Sequence, residues 1–251
     1  MKSKKLQEFI AEIQYKNRNP QDSRVLELLK DISTNPERTL TRKTYLYRCR
    51  IVKEPNQINK VPGFYGFDAK QSFVPSPMQS KDLRANYRYI AYLYCANHPY
   101  TAIMEIRPRI NSMCSVATII VDEDIRLLDF TIQNKPSKMT GTKQNLFADL
   151  SCLFSKPITS EDDTLDYIPT QYIAEYAKNL GYDGIMFTSS LTPEINSSSL
   201  DRFNVVVFNY AKCSVLKSNV FSITNTYVDC QQIDDDPQKM DIHMPIWDIA
   251  Y

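Results

Sequence analysis

The chain is poor in glycine and histidine, with five and two in 251 residues, and its basic and acidic residues nearly cancel to a formal net charge of +1. The two histidines, His98 and His243, are far apart in sequence, which excludes an HExxH helix and a histidine-rich zinc site. Neither a GxGxxG nor a Walker pattern is present, so a dinucleotide bound here is not held by a Rossmann turn. A charge near zero supplies no global field for a nucleic-acid backbone or an anionic membrane, although a small anion needs only a few local cations. No apolar run approaches the length that spans a bilayer, and the opening MKSKKLQEFIAEIQYKN lacks the continuous apolar stretch of a signal peptide. Cys49, Cys95, Cys114, Cys152, Cys213 and Cys230 form no CxxC pair, as expected of reduced, mostly buried thiols. Together these absences predict a soluble cytoplasmic protein with no metal site and neither nucleic acid nor membrane as partner.

The length suffices for one sizeable core with an appendage. Helical spacing of Leu6, Phe9, Ile10 and Ile13 predicts a helix over 4–18, and Val25, Leu26, Leu28 and Leu29 predict a second over about 22–32. The texture changes at Thr44, where Tyr45 to Val52 reads as a strand, followed by a long loop over 53–88. Tyr89 to Ala96 is a predicted strand. His98-Pro99 opens a short helix over 100–106 that carries Glu105. Strands are expected at 116–121, 126–130, 185–188, 203–208 and 215–224, and helices at 144–154 and 169–180, with Gly181 as the cap of the last. This irregular alternation predicts an α+β fold rather than a doubly wound one. The expected division is a helical extension (1–43), a main domain (44–227) and a C-terminal tail (228–251) that is acidic, then apolar.

Three phrases stand out: Leu83-Arg84-Ala85-Asn86, then Leu93-Tyr94-Cys95-Ala96, then Thr101-Ala102-Ile103-Met104-Glu105-Ile106-Arg107-Pro108. Gly181-Tyr182-Asp183-Gly184-Ile185-Met186-Phe187-Thr188-Ser189-Ser190 and Asn204-Val205-Val206-Val207-Phe208 come later. Singly, each has an ordinary reading. Arg84 is a solvated loop charge, Tyr94 a packing residue of a strand, Glu105 the polar position of a half-buried helix, and Ser189-Ser190 a strand-end turn. Arg48 and Arg50 alternate with Tyr47 and Cys49 and so share one face of their strand, and His98 reads as a helix-start residue rather than a base.

In this order and spacing the phrases resemble the RES family, named for its arginine, glutamate and serine. Tyr47-Arg48-Cys49-Arg50 is similar to the "YRAR" that opens that domain, and the likeness covers about residues 44–217. The resemblance implies an ADP-ribosyltransferase-like RES domain with a strand-lined cleft that consumes NAD+ by phosphorolysis or hydrolysis. NAD+ is then the substrate, inorganic phosphate a candidate co-substrate, no cofactor is required, and a cognate antitoxin is the candidate protein partner. It implies Arg84, Tyr94 and Glu105 as the catalytic core, with Arg48, Ser189, Ser190 and Asn204 as substrate-binding residues; Ser189 is the preferred match to the family serine.

The chemistry suits such a set. Nicotinamide leaves as a neutral molecule, so the enzyme holds the pyrophosphate and stabilises positive charge on the ribose. A guanidinium grips phosphate with a planar fork, and a carboxylate can face the cation. The sequence departs from the family where Leu83 replaces a glycine, where Arg88 and Tyr89 replace a Gly-x-Pro-like turn, and where no glycine precedes Asn204. Two rivals share these residues: a protein mono-ADP-ribosyltransferase, which Ile103 two residues before Glu105 disfavours, and a non-catalytic NAD-binding regulator.

Overall fold

A computed structural model describes residues 4–20, 24–32, 37–131, 141–156, 164–191 and 202–225. The expected tail beyond residue 227, with its acidic and apolar segments, lies outside these residues.

Two helices open the described chain, α1 (Lys4–Tyr15) and α2 (Arg24–Ile32). Strands β1 (Glu37–Leu40) and β2 (Tyr45–Val52) follow. The expected loop over 53–88 contains a two-residue strand, β3 (Phe64–Tyr65), and a single-turn helix, α3 (Ala69–Ser72). Then come β4 (Leu93–Ala96), α4 (Pro99–Glu105), β5 (Met113–Val121), β6 (Ile125–Phe130) and α5 (Thr142–Ser155). The second half closes with α6 (Ile168–Asn179), β7 (Gly184–Thr188), β8 (Phe203–Val207) and β9 (Cys213–Ser222).

The nine strands among the described residues form one sheet in the order β1-β6-β7-β8-β4-β2-β5-β9-β3. Only β6 with β7 and β3 with β9 run parallel, which makes the fold mixed α+β. The sheet begins ahead of residue 44, because β1 pairs with β6 from Glu37 to Leu40. The strand expected over 89–96 is confined to Leu93–Ala96, since Tyr89 adopts φ 70 and turns the chain before it can pair.

Period-two alternation sorts the central strands between two cores. Val206, Ile185, Phe187, Leu128 and Phe130 face the helices α1, α2, α5 and α6. Their neighbours Val205, Val207, Met186 and Leu127 join Leu46, Leu93 and Ile119 on the opposite side. The N-terminal helices belong to the first core: Leu6, Phe9 and Ile13 of α1 and Val25, Leu26 and Leu29 of α2 are buried in it. A third, small core lies under α4, where Ala102, Ile103 and Ile106 pack on Cys49, Cys114 and Val116. Among the described cysteines all five are free thiols, and only Cys152 is exposed. No described helix is long and apolar enough to cross a membrane.

Candidate active site

The sheet nearly parts at its middle. β2 pairs with β5 along its whole length and β4 pairs with β8 at all four residues, yet β2 and β4 meet only at Tyr47 opposite Ala96. Backbone groups beside such a parting need other partners. Arg48 supplies one, its Nη1 donating to the Tyr94 carbonyl at 2.9 Å. Burial pulls the Arg48 guanidinium below its ordinary pKa, and its Nε is buried with no hydrogen-bond partner. Arg50, on the same strand, donates instead to the Phe73 carbonyl at 2.6 Å and does not line the cavity described next.

A cavity of about 570 Å³ opens at this parting. Arg48 and Tyr94 line it from the two strands, Arg84 from the loop before β4, Glu105 from the end of α4, Asn204 from β8 and Ser190 from the end of β7. Residues dispersed over more than 150 positions thus share one space.

Glu105 is held from behind. His98 caps α4, its Nδ1 accepting from the Tyr100 amide at 3.2 Å, and Pro99 occupies the first turn, where no backbone donor is missed. His98 therefore starts the helix as expected; burial and the nearby Arg202 keep its pKa below the usual histidine value. At the far end of α4, Glu105 Oε1 accepts from Ser189 Oγ at 2.7 Å and from Asn204 Nδ2 at 2.7 Å. Both bonds fall on one oxygen, and no hydrogen bond among the described residues engages the other. Ser189 is buried behind the carboxylate, whereas the exposed Ser190 lines the cavity. The two serines thus differ in placement: one orients the acid, and the other faces the open space.

Arg84 sits on a tight turn in which the Leu83 amide donates to the Asn86 carbonyl at 3.1 Å. Its Nη1 donates to the Leu153 carbonyl at 3.0 Å and its Nη2 to that of Lys156, so it caps the C-terminal end of α5 as cations commonly do. The guanidinium also lies over the Phe187 ring, 5.8 Å from the centroid. Tyr94 presents its ring to the cavity, but its hydroxyl is engaged in the Arg84 turn. The hydroxyl accepts from the Ala85 amide at 3.0 Å and donates to Asn86 Oδ1 at 2.7 Å. Burial pushes this phenol above its ordinary pKa, against the Ala85 hydrogen bond and the charges of Arg84 and Arg48.

Several lining residues were not singled out from the sequence. Arg107 follows Glu105 in the quoted phrase and takes a left-handed backbone, φ 46, immediately after α4. Its place within that phrase was a usable signal. Tyr47, Phe154, Tyr167 and Phe187 add aromatic rings; Tyr47 and Phe187 lie within quoted phrases, whereas nothing in the local sequence of Phe154 and Tyr167 separates them from core aromatics. Among the described residues the charged lining is therefore three arginines, Arg48, Arg84 and Arg107, around one carboxylate. Such a surplus selects an anionic ligand, and the volume lies in the range of small-molecule and cofactor pockets, about 300–1,000 Å³. Among the described residues no cluster of three or more histidine, cysteine or acidic side chains could hold a metal ion.

Asp183, in the phrase around Gly181 and Gly184, lies outside the cavity. It joins β6 to the loop after β8, accepting from the Arg126 amide at 3.0 Å and pairing with Lys212 Nζ at 2.9 Å.

Residues 61–228 match the family model of the RES domain. Among solved structures, a chain of the M. tuberculosis MbcT–MbcA toxin–antitoxin complex is similar at 11% identity and a TM-score of 0.45, over 80% of this chain and 93% of that one. No curated protein matches the sequence.

Proposed function

The chain belongs to the RES-domain family, and from that premise we propose that it degrades NAD+ by cleaving the bond between nicotinamide and ribose. The observation that carries this reading is a carboxylate pinned by two donors in the same cavity as three guanidinium groups and several aromatic rings. In this reading the arginines bind the pyrophosphate; the buried, acid-free Arg48, with its unpartnered Nε, is the side chain most in need of an anion. An aromatic face, such as the Tyr94 ring, receives the nicotinamide. As the ribose C1–N bond breaks, its electron pair leaves with nicotinamide and positive charge develops on the sugar. The Glu105 carboxylate stabilises that charge, and Ser189 and Asn204 hold it in one orientation, so little reorganisation accompanies the reaction. A phosphate oxygen, or a water oxygen that releases one proton to solvent, then bonds to the anomeric carbon. No step needs a metal.

Protein mono-ADP-ribosylation fits less well. The position two before the glutamate is Ile103, which packs in the small core under α4 and offers no acid to activate a protein acceptor. A role as a growth-inhibiting toxin restrained by an antitoxin in the cytoplasm follows from the family resemblance and belongs to the same proposal.

Incubation of the purified chain with NAD+, with and without phosphate, tests the reading. Nicotinamide release is expected, with ADP-ribose 1″-phosphate marking phosphorolysis and free ADP-ribose marking hydrolysis. Glu105→Gln should slow release by about 10²–10³-fold while the circular dichroism spectrum stays unchanged. Undiminished NAD+ in the presence of folded protein defeats the proposal, and labelled lysate proteins without bulk NAD+ loss transfer it to the rival chemistry.

A further inference from the structure

The turn that carries Arg84 is held by two elements distant in sequence. From β4, the Tyr94 hydroxyl accepts the Ala85 amide hydrogen and donates to Asn86 Oδ1. From α6, Gln171 Nε2 donates to the Leu83 carbonyl at 3.0 Å and to the Asn86 carbonyl at 2.9 Å. Those two carbonyls flank Arg84-Ala85, and an amide nitrogen carries two hydrogens, so one side chain secures both ends of the turn. Two carbonyl partners also fix which end of the amide faces them. Asn86 completes the clamp, its Nδ2 donating to the Lys81 and Tyr87 carbonyls at 2.9 and 3.0 Å.

Gln171 is 2% exposed and sits on a helix whose Ile173, Ala174 and Ala177 are fully buried, so its anchor is rigid. It does not line the cavity. A buried glutamine spent on two loop carbonyls serves the geometry of that loop, because a helix needs only apolar atoms to pack there.

We propose that Gln171 is a positioning residue for Arg84, fixing the backbone from which the guanidinium enters the cavity. The turn's own backbone contributes one hydrogen bond, Leu83 to Asn86, and the Tyr94 and Asn86 side chains supply the remaining contacts. Without the amide, the Leu83 carbonyl loses its Gln171 donor and the Asn86 carbonyl keeps only the Leu83 amide, so the turn relaxes, carrying the Arg84 side chain off its α5 carbonyls and out of register with bound phosphate. The kinetic consequence rests on the NAD+ reading; the structural consequence does not.

Gln171→Met keeps the length of the side chain and removes both donors, and it is compared in wild-type and Arg84→Ala backgrounds. In the wild-type background it should lower kcat/KM for NAD+ about tenfold, mainly through KM, and in the Arg84→Ala background less than about twofold. Equal losses in both backgrounds overturn the proposal, since a general packing defect does not depend on Arg84. An α-dicarbonyl that labels arginine, read by peptide mass spectrometry, gives a second measure that needs no turnover. Labelling of Arg84 should rise several-fold in Gln171→Met while that of Arg50 stays constant. Unchanged Arg84 labelling in a folded variant overturns the proposal. A wild-type chain that leaves NAD+ intact defeats the enzymatic reading alone, and labelling then decides the role of Gln171. Where the Met variant does not fold, Gln171→Asn, which keeps the amide but withdraws it by one methylene, enters the same two measurements.

Discussion

Tyr89 occupies a backbone conformation that L-residues with a Cβ avoid, at φ 70, and it does so where the RES pattern has a glycine-containing turn. The shortage of glycine is thus met by strain in an ordinary residue, eased by the Arg88 guanidinium stacked 5.1 Å from the Tyr89 ring centroid. Replacing this half-exposed side chain should relieve the strain. Tyr89→Gly is expected to raise the unfolding free energy by about 0.5–1 kcal/mol, the conformational gain being partly offset by lost stacking and by the freer unfolded chain. Chemical denaturation measures it, and a loss of stability shows that the ring contact outweighs the backbone. Arg107, at φ 46 beside Glu105, is a comparable residue inside the cavity, where strain commonly accompanies function. Neither conformation could be read from the sequence, because φ is imposed there by what the following segment must reach. That three candidate residues share one cavity was anticipated through the family resemblance. Arg84, Tyr94 and Glu105 belong to one ordered set of phrases, although the hydrogen bonds that engage the Tyr94 hydroxyl depend on a turn that only folding creates.

Among the elements, long periodic segments were the easiest to read. The apolar stripe of α1, the capping of α4 by His98 and the termination of α6 at Gly181, φ 86, follow from side-chain spacing and backbone freedom. β1 was missed, since four residues with a charged pair, Glu37-Arg38, carry no strand periodicity of their own and gain their hydrogen bonds from β6. The join between β6, β7 and the loop after β8 is made by Asp183. Burial alone would raise its carboxyl, but the Arg126 amide, Lys212 and Asn209 outweigh burial and hold it below the ordinary aspartate pKa. A depressed folded-state pKa contributes stability that is present above the unfolded value, about 4, and is lost as pH falls through the folded value. Asp183→Asn should therefore destabilise the protein at neutral pH by about 1–3 kcal/mol, with the deficit shrinking below about pH 4. Denaturant titrations at neutral and acidic pH check it, and a deficit independent of pH would assign the loss to packing. Gly184, on the same junction, allows the strands to close: a Cβ there would stand 2.3 Å from the Val206 carbonyl oxygen.

For the molecule as a whole, the consequence of the proposed chemistry is physiological. Expression of the active chain in a bacterial host should deplete cellular NAD+ and arrest growth, whereas Glu105→Gln at equal abundance should do neither. NAD+ assayed in extracts alongside growth curves decides this, and normal growth with abundant soluble wild-type protein removes the toxin role. The sequence by itself determined the class of fold and, through its ordered phrases and their resemblance to the RES family, offered Arg84, Tyr94 and Glu105 as candidates, because such phrases record residue types and local structure along the chain. Tertiary structure alone decided that β2 and β4 part beside Arg48, that Arg107 joins the cavity, that Ser189 and Asn204 converge on one oxygen of Glu105, and that Gln171 reaches the Arg84 turn. Those pairings join segments about 85 to 100 residues apart in the Glu105 and Gln171 cases, where no local periodicity operates and only the register of the assembled sheet and the docking of its helices set the distance.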